Sequence, residues 1–211
     1  MDVQGGESKV GELRRISEEV EACSKCPLHL TRKRAVPGEG NPNAEVMLIG
    51  EAPGEVEDET GRPFVGAAGK LLNSLLQDIG VDRSSLYITN VVKCRPPNNR
   101  DPTDEEINAC KPYLIRQIAV VRPRRIVTLG RHSTRVILGL GGLRVSEISR
   151  VRGRVFRVTI AGVEVEVYPT YHPAAALYNP SLKGVLKEDL ARAIRAGGSG
   201  PASILDYLNG G

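Results

Sequence analysis

Apolar residues recur along this chain at two periods. Over residues 8–22, Val10, Leu13, Ile16 and Val20 fall at helical spacing among mostly polar neighbours, which predicts an amphipathic helix delivering Cys23 and Cys26. Residues 46–49 (VMLI) form instead an unbroken apolar run closed by Gly50, as in a strand buried on both faces. A second helix is predicted over 67–79, then a strand over 86–92 and a polar loop over 95–101. Thr103 with Glu106 three residues on has the form of a capping box, opening a helix that runs through Cys110 toward Val120. Residues 125–130 read as a third buried strand, 133–138 as a helix, and 154–160 with 163–168 as a hairpin turning at Ala161-Gly162. A last helix is predicted over 181–196.

Strands alternating with helices predict an α/β sandwich with a parallel core. The segments between them are turn-rich (37–43) or acidic (the loop 55–59), and no internal repeat stands out. A chain of 211 residues with 40% hydrophobic content suits one well-buried domain, assigned to 1–196, with 197–211 as a C-terminal tail. No stretch reaches the roughly 20 apolar residues that span a bilayer, and the first ten residues lack a hydrophobic signal region, so the expectation is a cytoplasmic protein without a membrane partner.

Charge adds little at first. A formal net charge of +4 suits a polyanionic partner, and three basic clusters sharpen it: Arg32-Lys33-Arg34, Arg122 with Arg124 and Arg125, and Arg150, Arg152, Arg154 and Arg157. Such clusters are as often solvated faces. Aromatic residues make up 4% of the chain, with no Trp, which disfavours an RNA-recognition sheet that needs several exposed rings.

Cys23 and Cys26 form a C-x2-C pair, whereas Cys94 and Cys110 lie far downstream and far apart. In a reducing compartment four cysteines suggest a metal before disulfides. Spacing leaves open an iron–sulfur cluster, a structural zinc, two disulfides or four unrelated thiols.

Three strand ends carry candidate chemistry. Gly50-Glu51-Ala52-Pro53-Gly54 follows the first strand, and glycines there permit close backbone approach to a ligand, although Gly-rich βα loops are common. Asn90 ends the second strand; its amide both donates and accepts, which suits a nucleobase edge, although a strand-end Asn often serves its own backbone. His172, fixed by Pro173 at a strand-to-helix junction, is a donor for developing negative charge, or a satisfied buried histidine. Convergence of all three on one sheet edge favours a site, because such edges bind ligands. His29 and His132 share no such convergence and are assigned as structural or surface residues.

Longer motifs join these residues. Cys23-x2-Cys26-Pro27-Leu28 with Val36-Pro37-Gly38-Glu39-Gly40, the run from Gly50 through Phe64 to Gly66, Thr89-Asn90-Val91-Val92-Lys93-Cys94-Arg95-Pro96-Pro97, Cys110, and His172-Pro173-Ala174 occur in order. Together they resemble family 4, the iron–sulfur uracil-DNA glycosylases, over about residues 23–193. The resemblance implies a three-layer α/β sandwich with a mainly parallel central sheet and a [4Fe-4S] cluster on Cys23, Cys26, Cys94 and Cys110. It also implies a monofunctional DNA repair glycosylase that flips uracil from the stack, releases it and leaves an abasic site.

By the same resemblance Phe64 stacks on the base, Asn90 reads its Watson–Crick edge and His172 hydrogen-bonds O2, stabilising the departing uracil anion. The best-known uracil glycosylases place a water-assisting Asp in the first motif where this chain has Ala52. Glu51 is therefore assigned to orient water or stabilise the cationic sugar, the Ala52 and Pro53 backbone to line the pocket, and Glu57 to close it near uracil C5. Where the family often carries an Arg or Leu wedge, this chain reads Ala174-Ala175-Ala176-Leu177-Tyr178, so Leu177 or Tyr178 is assigned to fill the vacated stack. No basic His-containing insertion follows Cys94-Arg95, which disfavours the covalently trapping relative. The expected partners are uracil-containing DNA, single- or double-stranded, in the nucleoid, with the chain a monomer and a sliding clamp a candidate protein partner. Two rival readings are an inactive iron–sulfur nucleic-acid-binding module, which the intact set Glu51, Phe64, Asn90 and His172 opposes, and a polymerase-associated domain of the same type.

Overall fold

The computed structural model describes residues 8–145 and 147–195. Its centre is a six-stranded sheet in the order β1-β3-β2-β4-β6-β5. The strands are β1 (Glu39–Gly40), β2 (Val46–Gly50), β3 (Tyr87–Asn90), β4 (Arg125–Leu129), β5 (Phe156–Ile160) and β6 (Val163–Thr170). Strands β3, β2, β4 and β6 are mutually parallel, and the outer strands β1 and β5 pair antiparallel.

The helices are α1 (Lys9–Glu21), α2 (Glu55–Thr60), α3 (Ala67–Asp78), α4 (Asp104–Val121), α5 (Arg131–Leu140), α6 (Ile148–Val151), α7 (Pro173–Tyr178) and α8 (Leu182–Arg195). Alternation along β2 sorts them into two outer layers, since successive strand side chains point to opposite faces. Met47 and Ile49 pack with Leu13, Ile16 and Val20 of α1, Leu114 and Ile118 of α4 and Ile137 of α5. Val46 and Leu48 pack with Leu72, Leu75 and Leu76 of α3 and Leu186 and Leu190 of α8. The result is the expected three-layer sandwich. None of the described helices is long and apolar enough to cross a membrane.

Local chemistry sets several boundaries. Ser8 caps α1, its hydroxyl accepting from the Gly11 N–H at 3.2 Å. The capping box of α4 forms, with Glu106 N–H donating to Thr103 Oγ1 (3.2 Å) and Thr103 N–H to Glu106 Oε2 (2.8 Å). Ala161 and Gly162 both have positive φ, 50° and 74°, the conformation that matches a two-residue turn to strand twist.

Four segments differ from the sequence expectation. Residues 55–59 are not a loop: they begin α2, because three acidic side chains in the first turn complement the helix N-terminus. The turn-rich segment 37–43 contains β1, and α6 interrupts the basic segment before β5. The β3 ladder ends at Asn90, after which Val91 and Val92 N–H groups donate to the Gly50 and Glu51 carbonyls. The assigned tail, 197–211, lies outside the described residues.

Candidate active site and cysteine cluster

Parallel order brings the C-terminal ends of β2, β3, β4 and β6 to one edge of the sheet, and a cavity of about 420 Å³ opens there, within the range of small-ligand sites. Glu51, Ala52 and Pro53 line it from the β2 end, Asn90 from β3 and His172 from the end of β6. Glu57 and Phe64 complete its wall from α2 and the loop before α3.

Asn90 is 1% exposed, and its Oδ1 finds no hydrogen-bond partner among the described residues. Burying an acceptor unpaired is costly, so such an atom marks a place where a donor belongs. The Asn90 backbone is anchored from behind by Lys93, whose Nζ donates to Asn90 O (2.8 Å), Thr89 Oγ1 (2.5 Å) and Gln117 Oε1 (2.7 Å). Complete burial pushes this lysine down to about 7. Its structural part is invisible in the sequence, where a lysine between Val92 and Cys94 reads as surface.

His172 caps α7: its Nδ1 accepts the Ala174 N–H at 3.1 Å. That bond puts the imidazole proton on Nε2, and burial pushes the pKa down to about 4, so the ring is neutral at pH 7 and donates from Nε2. Phe64 stands beside it, ring centroids 5.7 Å apart and planes tilted by 31°. Phe64 is held at φ 51°, an uncommon conformation for a bulky residue. Arg83 supports it, donating to Phe64 O (3.0 Å), Pro63 O and Asn73 Oδ1 (2.8 Å), while Glu39 accepts from both Arg83 and Arg62.

Glu57 Oε1 accepts the Val65 (2.9 Å) and Gly66 (2.7 Å) N–H groups and its Oε2 accepts Gly54 N–H (3.1 Å), so one buried carboxylate joins the two halves of the first motif. The Glu51 carboxyl is three-quarters buried. Burial holds it above the usual carboxylate range; His132 opposes this, Asp101 reinforces it and Arg131 opposes it. Of the two readings given for His132, structural or surface, the structural one fits: it lies in the first turn of α5 just past the β4 end, with Nε2 3.8 Å from Glu51 Oε2 and 3.0 Å from Asp101 Oδ2. The signal that would have found it is its position after the remaining parallel strand, equivalent to that of His172 after β6.

The four cysteines are free thiols that line one small cavity of about 10 Å³ together with Lys25, His29 and Arg32. Burial raises Cys26 and Cys94, and pushes Cys110 up to about 11, and neighbouring cysteine sulfurs raise each further. Two donors already address these sulfurs, Lys93 N–H on Cys110 Sγ (3.2 Å) and Arg32 Nη1 on Cys94 Sγ (3.0 Å). Four thiols around one cavity, Cys94 and Cys110 buried and Cys23 and Cys26 half-buried, flanked by Lys25 and Arg32, fit a metal group, which removes the thiol protons and neutralises their mutual repulsion. His29, assigned as a structural or surface residue, lines this cavity and donates from Nδ1 to Cys26 O at 2.7 Å.

The basic clusters are largely engaged within the fold. Lys33 pairs with Glu59, Arg125 donates to the Ala193 and Ile194 carbonyls, and Arg152 and Arg157 face Asp189 and Glu166. Leu177 and Tyr178, by contrast, are exposed at 45% and 90% on α7, directly after His172.

The profile of the Uracil DNA glycosylase superfamily matches residues 37–194. The chain is 54% identical over 200 residues to the type-4 uracil-DNA glycosylase of Sulfurisphaera tokodaii, covering 94% of this chain and 91% of that one. It belongs to the type-4 uracil-DNA glycosylases. A type-4 enzyme of Saccharolobus solfataricus is 53% identical over 196 residues (92% and 91% of the two chains), and that of Archaeoglobus fulgidus 49% over 193 (92% and 97%). The matched span of this type-4 chain contains every residue lining its strand-end cavity.

Proposed function

We propose that this chain is a monofunctional DNA repair enzyme that hydrolyses the N-glycosidic bond of a flipped uracil, releasing free uracil and leaving an abasic site. The observation that carries the reading is the unpaired, buried Asn90 Oδ1 beside a neutral His172 donor and the Phe64 ring. Uracil offers a matching edge: N3–H donates to Asn90 Oδ1, O4 accepts from the Asn90 amide nitrogen, and O2 accepts from His172 Nε2. Cytosine has no proton on N3 and a donor at C4, so it leaves the same Asn facing the wrong partners.

Breaking the C1′–N1 bond leaves its electron pair on uracil and positive charge on the sugar. A donor from His172 aimed at the growing charge on the base is worth about 3 to 4 kcal/mol. A neutral imidazole suits this role because it stabilises the anion without needing protonation beforehand. Glu51 faces the sugar side as the group that steers water to C1′ and takes its proton. The Ala52 and Pro53 backbone lines the pocket, and Glu57, locked by three N–H groups, fixes the wall near C5. Phe64 stacks on the base, and Leu177 or Tyr178 fills the stack it vacates.

Cys23, Cys26, Cys94 and Cys110 would hold a [4Fe-4S] cluster. Bound there, it supplies a crosslink between the end of α1, the Cys94 loop and α4. The domain so stapled is assigned to 1–196, acting as a cytoplasmic, nucleoid-associated monomer with a sliding clamp as candidate partner.

Labelled oligonucleotides carrying one uracil, thymine or cytosine, treated with wild type or His172→Ala and then alkali, test the reading. Cleavage at uracil alone, with the variant slowed by roughly 10²- to 10³-fold, is expected. Iron-loaded wild type that binds DNA and releases no base would instead leave a binding module.

A further inference from the structure

Between the strand-end cavity and the cysteines lies a buried lysine. Lys93 lines the cysteine cavity and not the strand-end cavity, yet its side chain reaches the residue that faces the base. It is 1% exposed. Its backbone is held on both sides: the N–H donates to Cys110 Sγ (3.2 Å) and the carbonyl accepts Val36 N–H (2.7 Å).

From this fixed point the side chain turns back along the chain it has just left. Nζ donates to Asn90 O three residues earlier (2.8 Å), to Thr89 Oγ1 four residues earlier (2.5 Å) and to Gln117 Oε1 on α4 (2.7 Å). Three acceptors around one nitrogen match the three N–H groups of an ammonium. A neutral amine also donates to Asn90 O, so this contact does not depend on the charge of Lys93. The other ends of the network are tied in turn. Thr89 Oγ1 and Gln117 Nε2 both donate to Pro37 O, at 2.8 Å each, and Gln117 Nε2 donates to Tyr87 OH at 3.2 Å.

Asn90 needs such a brace. The β3 ladder ends at this residue, and its Oδ1 finds no partner among the described residues. No bond through that atom fixes the amide, so its place follows from the backbone that carries it. We infer that Lys93 is a positioning residue for uracil recognition: by holding Asn90 O it sets where the Asn90 amide meets the base, acting through Asn90 and not on the substrate. This role deepens the glycosylase reading and rests on it. An apolar side chain of similar length would fill the space and leave Asn90 O, Thr89 Oγ1 and Gln117 Oε1 without this donor, so the strand end would shift to recover partners.

The test compares wild type, Lys93→Met, Gln117→Met, Asn90→Ala and the two double variants with Asn90→Ala. Three quantities are measured: single-turnover uracil release, inhibition by free uracil, and affinity for an oligonucleotide carrying an abasic analogue, which has no base to read. Lys93→Met is expected to slow uracil release by about 10- to 100-fold and to weaken inhibition by free uracil by about tenfold, at unchanged affinity for the abasic oligonucleotide. Gln117→Met removes one acceptor and keeps the lysine, so it should show the same pattern at about three- to tenfold. In the Asn90→Ala background neither change should cost anything further in release or inhibition, a non-additivity that a general packing role would not produce.

An equal loss in the Asn90→Ala background, or affinity for the abasic oligonucleotide falling in step with uracil release, overturns the inference. Visible cluster absorbance and thermal unfolding identify a misfolded Lys93→Met, in which case Gln117→Met decides by the same cycle. A wild type that neither releases uracil nor is inhibited by it strikes the glycosylase reading, whereas an active wild type with indifferent Lys93 and Gln117 variants strikes only the role of Lys93.

Discussion

A β-carbon on Gly50 would stand 2.4 Å from Asn90 Oδ1 and 2.4 Å from the Phe64 ring edge. The strand end is thus the floor on which both base-contacting groups rest, and neither is the flexible end of a long side chain. Gly50→Ala is expected to reduce kcat/KM for uracil release by more than about 100-fold, since a displacement near 1 Å suffices for that, and to destabilise the fold by about 1 to 3 kcal/mol. Single-turnover kinetics and urea unfolding check the two numbers separately.

His172 predicts an acid sensitivity of the folded state. Its pKa is near 4 when folded and near its ordinary 6.5 when unfolded, so between these values the unfolded chain binds more protons. Stability therefore falls as pH drops from about 6.5 toward 4, by roughly 3 kcal/mol from this residue alone. His172→Gln should flatten that part of the curve of unfolding free energy against pH while losing activity. An unchanged slope would mean that the imidazole is not buried neutral.

Arg83 and Arg62 share Glu39 yet should behave differently on removal. Arg62 is 61% exposed and holds only the carboxylate, so Arg62→Ala is expected to cost under about 1 kcal/mol. Arg83, 20% exposed, also satisfies the Pro63 and Phe64 carbonyls beside the positive-φ residue, so Arg83→Ala should cost about 2 kcal/mol or more. It should also raise KM, as the stacking ring loses its support. Equal losses in paired urea titrations would remove the special standing of Arg83.

The proposed [4Fe-4S] cluster makes iron the expected metal of the cysteine cavity. Replacing Cys110 by Ala should abolish visible absorbance and lower Tm by at least about 10 °C, because a group bound only by the folded state stabilises it by mass action. Stoichiometric zinc without iron in freshly purified protein would reassign the site.

Hydrophobic period alone was enough to place the strands of the parallel core and the long helices, because a strand buried on both faces is continuously apolar and an amphipathic helix repeats near 3.6 residues. Strong local signals, the Thr103 to Glu106 capping box and the Ala161-Gly162 turn, were legible for the same reason: both are decided within four residues. Helix α2 was missed although Gly54-x2-Glu57 and its acidic first turn announce it, since charge density there reads equally well as a loop.

What the chain order could not supply is the meeting of distant residues. Cys94 and Cys110 join Cys23 and Cys26 only because α1 and α4 cover the same face of the sheet. His132 approaches Glu51 only because β4 lies beside β2, a neighbour relation that no local pattern encodes. Residue type and short-range period determined the elements and the candidate groups; which groups share a proton, an unpaired acceptor or a cavity was decided by strand order, because those interactions act over a few ångströms of space and not along the chain.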